Sequence, residues 1–164
     1  MAIDQQVYQV ERTPYLISTD PARLDLDRIH GYLYHAYWSP GIPREMVARG
    51  IEHSLNFGMY ISAEGSEQQI GFARVISDYT SFAYLADVFV LPAYRGQGLG
   101  IWLIDSIINC PLLCTLRSFS LATRDAHELY RKFGFTEIDS ARYMIKRYEV
   151  PWRQPDLIRE SEIT

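Results

Sequence analysis

Apolar positions along this chain change period several times, and each change predicts an element. Residues 1–13 are mostly polar and read as a loose lead-in or an edge strand. Residues 15–18 (Tyr-Leu-Ile-Ser) suit a first short strand, and Asp20-Pro21 marks a turn. Leu24, Leu26, Ile29, Leu33 and Tyr34 then recur at helical spacing. The run from Ser39 through Pro40 and Gly41 to Pro43 interrupts them. A second helix is predicted over about 43–54, with Pro43 suited to its first turn and Met46, Val47, Ile51 and Leu55 as its apolar stripe.

The middle of the chain switches to β patterning. Strands are predicted over 57–62, 70–77 and 84–90, separated by Glu64-Gly65-Ser66-Glu67 and by Asp78-Tyr79-Thr80-Ser81. Turns this short imply an antiparallel meander. Pro92 cannot donate to a ladder and closes the last strand. A glycine turn follows, then an apolar helix that Pro111 stops. Beyond it come a strand at 119–122 and a helix over 125–133, with Ala126, Leu129, Tyr130 and Phe133 on one face. Gly134 is placed as a left-handed helix cap. Two closing strands, 135–138 and 143–147, and a charged tail over 151–164 complete the chain.

At 164 residues, with no internal repeat or linker, the chain is expected to form one domain, 1–164, with the lead-in and the tail peripheral. Net charge is −4 and no basic block occurs, which argues against nucleic acid as a partner. The polar start (Asp4, Gln5, Gln6) and the lack of a membrane-length apolar run point away from a membrane and towards the cytoplasm. Cys110 and Cys114 flank Pro111 with no histidine beside them, so two free thiols are expected rather than a metal site.

The chemistry concentrates in residues 84–108. Val88, Phe89 and Val90 end a strand, Arg95-Gly96-Gln97-Gly98-Leu99-Gly100 forms a turn, and a helix begins at once. The first amides of a helix have no acceptor within it, and its dipole adds partial positive charge. Glycines admit a ligand close to the backbone. Arg95 adds a full charge, and no acid lies between Leu91 and Ile101. The expected guest is a phosphate or diphosphate. A Walker loop would need Gly-Lys-Ser/Thr, and the dinucleotide fingerprint would need glycine where Ile101 stands.

The pattern Arg95-x-x-Gly98-x-Gly100 closely resembles the acyl-coenzyme A loop of the Gcn5-related N-acetyltransferases (GNAT). About thirty residues on, Ala126-x-x-x-Tyr130-x-x-x-Gly134-Phe135 resembles the second signature of the same family. The order of the preceding helices and strands also agrees. The resemblance implies a mixed α/β (α+β) fold: a central, splayed, mainly antiparallel sheet with helices on both faces and acetyl-coenzyme A wedged where two strands part.

By that resemblance, Arg95 and the amides of Gly96, Gln97, Gly98, Leu99 and Gly100 hold the diphosphate. Val88, Phe89 and Val90 pair with the pantetheine arm, and the Val88 amide polarises the thioester. Tyr130 faces the sulfur as general acid and also counts as a cofactor contact. Thr123 stands where many relatives have a cofactor-binding asparagine. Tyr37, Trp38, Arg74, Tyr79 and Tyr84 are expected to line the acceptor cleft, with Tyr60 and Phe82 as further candidates.

The base is less defined. Ala86 occupies the position where several relatives carry a glutamate, so Asp87 is the first candidate for a base or an amine contact. Simple strand alternation turns Asp87 away from Ala86 and Val88 unless a bulge re-aims it. Glu52, His53, Asp78, His127 or a water relay are the other options. The implied activity is transfer of acetyl from acetyl-coenzyme A to a primary amine, on a small molecule or a protein, by direct attack without a metal. Homodimers are common in the family. A non-catalytic acyl-coenzyme A sensor is the alternative, and a longer acyl group remains open.

Overall fold

A computed structural model describes residues 6–159, so the outermost parts of the lead-in and the tail (1–5, with Asp4 and Gln5, and 160–164) lie outside the described residues. Six strands form one sheet in chain order: β1 (Gln9–Arg12), β2 (Tyr15–Ser18), β3 (Leu55–Ala63), β4 (Ser66–Ser77), β5 (Phe82–Val90) and β6 (Ser118–Leu121). Neighbours are antiparallel except β5 and β6, which run parallel because α3 (Leu99–Ile108) crosses between them. The lead-in thus contributes an edge strand. The β3–β4 hairpin turns at Glu64 and Gly65, both with positive φ (51° and 79°), the geometry that matches strand twist.

The sheet is covered on both faces, as the resemblance implied. On one face Trp102, Leu103 and Ile107 of α3 pack over Phe57, Ile70, Val75 and Leu85. On the other, Ile29, Tyr32 and Leu33 of α1 (Leu26–Leu33) and Val47 of α2 (Arg44–Glu52) close over Phe72 and Phe89. The Asp25 carboxylate caps α1 by accepting from the Arg28 amide.

Strand alternation delivers side chains to these layers, and its register shifts in two places, at Met59/Tyr60 between β3 and β4 and again between β4 and β5. Phe72 pairs with Phe89 but Arg74 pairs with Ala86, so β5 spends one more residue than β4 over this stretch. This is a β-bulge at Asp87, whose φ is +55°. Its effect is visible in the packing. Ala83, Leu85, Val88 and Val90 belong to the α3 side, whereas Phe89 and Leu91 belong to the α1–α2 side.

The C-terminal third differs from expectation. α4 (His127–Arg131) is a five-residue helix, shorter than 125–133. The strands expected at 135–138 and 143–147 do not join the sheet. Their alternation finds no layer to bury against: Ile138, Tyr143, Ile145 and Tyr148 are all more than half exposed. The tail does dock, through hydrogen bonds to the segment after α1.

Gly58 of β3 is packed tightly enough to test. A Cβ there would lie 2.1 Å from the hydroxyl of buried Tyr60. Gly58→Ala is expected to lower stability by about 2 kcal/mol through overpacking, read from urea unfolding of the two proteins.

Candidate active site

The sheet opens at one point. β5 pairs with β6 only as far as Leu85 with Leu121; beyond it, residues 86–90 have β4 on one side and a cleft on the other. The cleft has a volume of about 1160 Å³. Its walls are the free edge of β5, the turn before α3, the residues after β6 and one face of α4, with Tyr37 and Trp38 at one end.

The turn before α3 has the geometry that its glycines foretell. Gly96 and Gly98 have φ of 78° and 77°, a left-handed backbone that favours glycine. Gly98 is the N-cap of α3, and the first intrahelical bond runs from the Trp102 amide to the Gly98 carbonyl at 3.0 Å. The amides of Leu99, Gly100 and Ile101 therefore precede the ladder, with the positive end of the helix dipole behind them. A Cβ built on Gly96, Gly98 or Gly100 meets nothing within 4 Å. The glycines thus leave open space along the cleft, into which a bulky anion such as a diphosphate fits.

Arg95 lines the same cleft while bracing the turn. Its Nε donates to the Val90 carbonyl (2.9 Å) and its Nη2 to the Tyr32 hydroxyl (2.9 Å). Tyr32 in turn stacks on Phe89 with centroids 3.8 Å apart. The Gln97 side chain faces away, accepting from the Tyr15 hydroxyl, so only its backbone remains available to a phosphate.

Tyr130 lines the opposite wall. Its ring meets Phe135 edge-on, and burial, with a smaller contribution from Tyr37, pushes its pKa up to about 12. The phenol is therefore a proton donor throughout the physiological range. Thr123 also borders the cleft, but its hydroxyl accepts from the Ala126 amide and so fixes the approach to α4. The shorter side chain serves the fold where asparagine would reach further.

The bulge gives Asp87 a role that alternation alone does not. The carboxylate turns to the α1–α2 side, away from Val88. There Oδ2 accepts from Arg74 Nε at 2.8 Å and Oδ1 from Trp38 Nε1 at 3.1 Å. Arg74 also donates through Nη1 to Ser54 Oγ. Both charged side chains are at least four-fifths buried. Asp87 is thus an anchor for Trp38 as well as a wall of the cleft.

The acceptor-side expectations divide. Tyr37, Trp38 and Tyr84 line the cleft; Arg74 and Tyr79 do not. Arg74 lies behind Asp87, and Tyr79, in the turn before β5, packs against the α3-side core. Tyr60 is enclosed in β3 and Phe82 stands at the far end of β5. Of the remaining base candidates, Asp78 is consumed by the turn, accepting from Thr80, Ser81 and Phe82 amides. Glu52 and His53 end α2, and His127 borders a smaller cavity of about 290 Å³ behind Tyr130. Neither cysteine lines the cleft; Cys110 is buried, which pushes its thiol up.

Sequence reasoning missed Tyr32, Arg124 and Asp125, which also line the cleft. Arg124 lies over the Tyr37 ring, 4.0 Å from its centroid, and 3.7 Å from the Asp125 carboxylate. Tyr32 read only as part of a helix. Arg124 and Asp125 adjoin Thr123, and that adjacency was the available signal. Among the described residues no His/Cys/Asp/Glu group is arranged to hold a metal, and no helix is long and apolar enough to cross a membrane.

The two partners of Asp87 yield a test. Asp87→Ala strands the Arg74 guanidinium and is expected to cost about 3 kcal/mol of stability. Asp87→Asn keeps an acceptor for Trp38 and tolerates the left-handed backbone, so roughly half that loss is expected. Urea unfolding of both variants separates this anchoring role from a purely proton-accepting one, which would leave stability unchanged.

Comparison with known proteins agrees with this architecture. The profile of the acetyltransferase (GNAT) domain family matches residues 56–137. Protein FG08082 of Gibberella zeae, whose name classes it with acetyltransferases, is 32% identical over 139 residues, covering 74% of this chain and 78% of its own length. A crystal structure of a protein from Xanthomonas campestris, described as belonging to the GNAT family, is 44% identical with a TM-score of 0.74, over 90% of this chain and 96% of that one. A Clostridium acetobutylicum structure solved with acetyl-coenzyme A shares the fold at a TM-score of 0.56 and 15% identity, over 81% of this chain and 94% of that one. On the match of sequence, fold and glycine turn together, the chain belongs to the GNAT acetyltransferase family.

Proposed function

We propose that the protein transfers the acetyl group of acetyl-coenzyme A to a primary amine, by direct attack in a ternary complex. The observation that carries this reading is the convergence of three features on one cleft: the unpaired edge of β5, the start of α3 and the Tyr130 phenol. An extended ligand with a phosphate at one end and amides along its length matches that order of groups.

Bound acetyl-coenzyme A supplies a thioester whose acetyl carbon the amine attacks, with the thiolate as leaving group. The chain's own groups do the rest. The amides of Leu99, Gly100 and Ile101 receive the diphosphate, supported by the nearby charge of Arg95. The free edge of residues 88–90 offers backbone donors and acceptors to the pantetheine amides, as a sheet edge does to an added strand. We assign to the Val88 amide the hydrogen bond to the oxygen that gains charge during attack. Tyr130 gives its proton to the departing sulfur. A covalent acetyl-enzyme needs a nucleophile in the cleft, and neither thiol stands there.

Asp87 is tied to two donors, so we assign it to holding Trp38 rather than to taking the amine proton. That proton passes to solvent through the open cleft. The acceptor enters between Tyr37, Trp38 and Tyr84, a wall that suits the body of a small-molecule amine or a lysine side chain.

The test is calorimetric titration with coenzyme A, followed by coenzyme A release from acetyl-coenzyme A with a panel of amines. Binding and turnover are expected. Binding without turnover on any amine favours a regulatory acyl-coenzyme A sensor, and no binding removes the proposal. Tyr130→Phe is expected to lower kcat about a hundredfold or more while leaving acetyl-coenzyme A affinity unchanged. Since the Tyr130 pKa is pushed up to about 12, the donor form persists as pH rises. The wild-type rate should therefore climb as the acceptor amine loses its proton, with no falling limb from Tyr130 up to about pH 10.

A further inference from the structure

The C-terminal tail lies outside the cleft, yet it reaches the segment that carries the aromatic wall. Arg153 spans two successive carbonyls: Nη2 donates to Tyr37 O at 2.9 Å and Nη1 to Trp38 O at 3.0 Å. The following amide, of Gln154, donates to Pro40 O at 2.9 Å. The tail also runs so close to Gly41 that a Cβ there would lie 2.6 Å from the Trp152 carbonyl. Gly41 itself has φ of +82°, so both space and backbone demand glycine at this crossing. Further on, His35 Nδ1 donates to Leu157 O at 2.9 Å, and its Nε2 accepts from Arg159 at 2.8 Å. The segment between α1 and α2 is thus gripped at His35, Tyr37, Trp38 and Pro40 by residues more than a hundred positions away.

We propose that Arg153 is a positioning residue for the acceptor site: by holding the Tyr37 and Trp38 carbonyls it fixes the two rings against which the acceptor lies. A planar guanidinium suits the task because its fork meets two carbonyls at once, which a single ammonium does less well. Trp38 is then held at both ends, by Arg153 at its backbone and by Asp87 at its indole N–H. Arg153 itself does not line the cleft, so it acts through the loop and touches neither ligand. The glycine turn before α3 is braced by Arg95, through the Val90 carbonyl and the Tyr32 hydroxyl, and not by Arg153, although the Tyr32 ring lies 6.3 Å from that of Trp38. Loss of Arg153 should therefore weaken acceptor use and spare the cofactor.

This inference rests on the proposed acetyl transfer for its kinetic arm, and has a second arm that does not. Arg153→Ala and Arg153→Lys are compared with the wild type on acetyl-coenzyme A and on tyramine, spermidine, glucosamine and lysine. For the amine used best, the acceptor KM is expected to rise about tenfold in Arg153→Ala and less in Arg153→Lys, with the KM for acetyl-coenzyme A within twofold of wild type. Independently of turnover, amide hydrogen exchange of a peptide covering 36–42 should speed up about tenfold in Arg153→Ala, while 99–108 stays unchanged. Faster exchange in both peptides means general destabilisation and overturns the proposal, as does an unchanged 36–42 peptide. Equal rises in both KM values also overturn it. If the wild type turns over none of the four amines, it is the proposed transfer that loses support, and hydrogen exchange still decides whether Arg153 holds the loop.

Discussion

The separation of β5 from β6 after Leu85 is the constraint on which the molecule depends. A sheet gains by pairing every backbone group, yet β6, its last strand, ends at Leu121 and leaves residues 86–90 without a partner strand on that side. The bulge falls within this stretch. Asp87 takes a left-handed backbone, at a cost of order 1 kcal/mol for a residue other than glycine, and its carboxylate is held by Arg74 and Trp38. Those charge-assisted bonds offset the strain. The bulge also changes which residues face which layer, so that Val88 and Val90 pack towards α3 while Phe89 packs towards α1 and α2. The residues flanking the open edge are thereby rooted in both cores.

From that opening the remaining parts take their places by short connections. The parallel return of β6 forces a helical crossover, and α3 begins where the glycine turn ends. Its unpaired amides consequently lie beside the end of β5. α4 follows β6 closely and sets Tyr130 on the far wall. A helix start with unpaired amides, a strip of backbone donors and acceptors, and a buried phenol thus follow from one topological feature. The acceptor end is assembled differently, from the segment between α1 and α2, the Asp87–Arg74 pair and the tail.

The fold and the cofactor end were legible because their signals are local. Positive φ at Gly96 and Gly98, the proline stops and the alternation in β3 to β5 all arise within a few residues. The acceptor end was only partly legible. Arg74 was expected in the cleft and lies behind Asp87; Tyr79 was expected there and packs into the core. A tyrosine suits a pocket and a core equally well, so its type could not choose between them. The two closing strands show the converse: their alternation favours strands, but no covering layer exists to reward it.

By itself the sequence determined where the chain turns, where a helix starts behind a glycine turn and which family grammar it follows, since glycine, proline and helix starts act over a turn or less. Only the tertiary structure decided that Asp87 is an anchor and that Arg153 grips a loop 115 and 116 residues earlier. Those outcomes depend on which carbonyls and guanidinium groups are brought together across the fold, and no local pattern encodes that meeting.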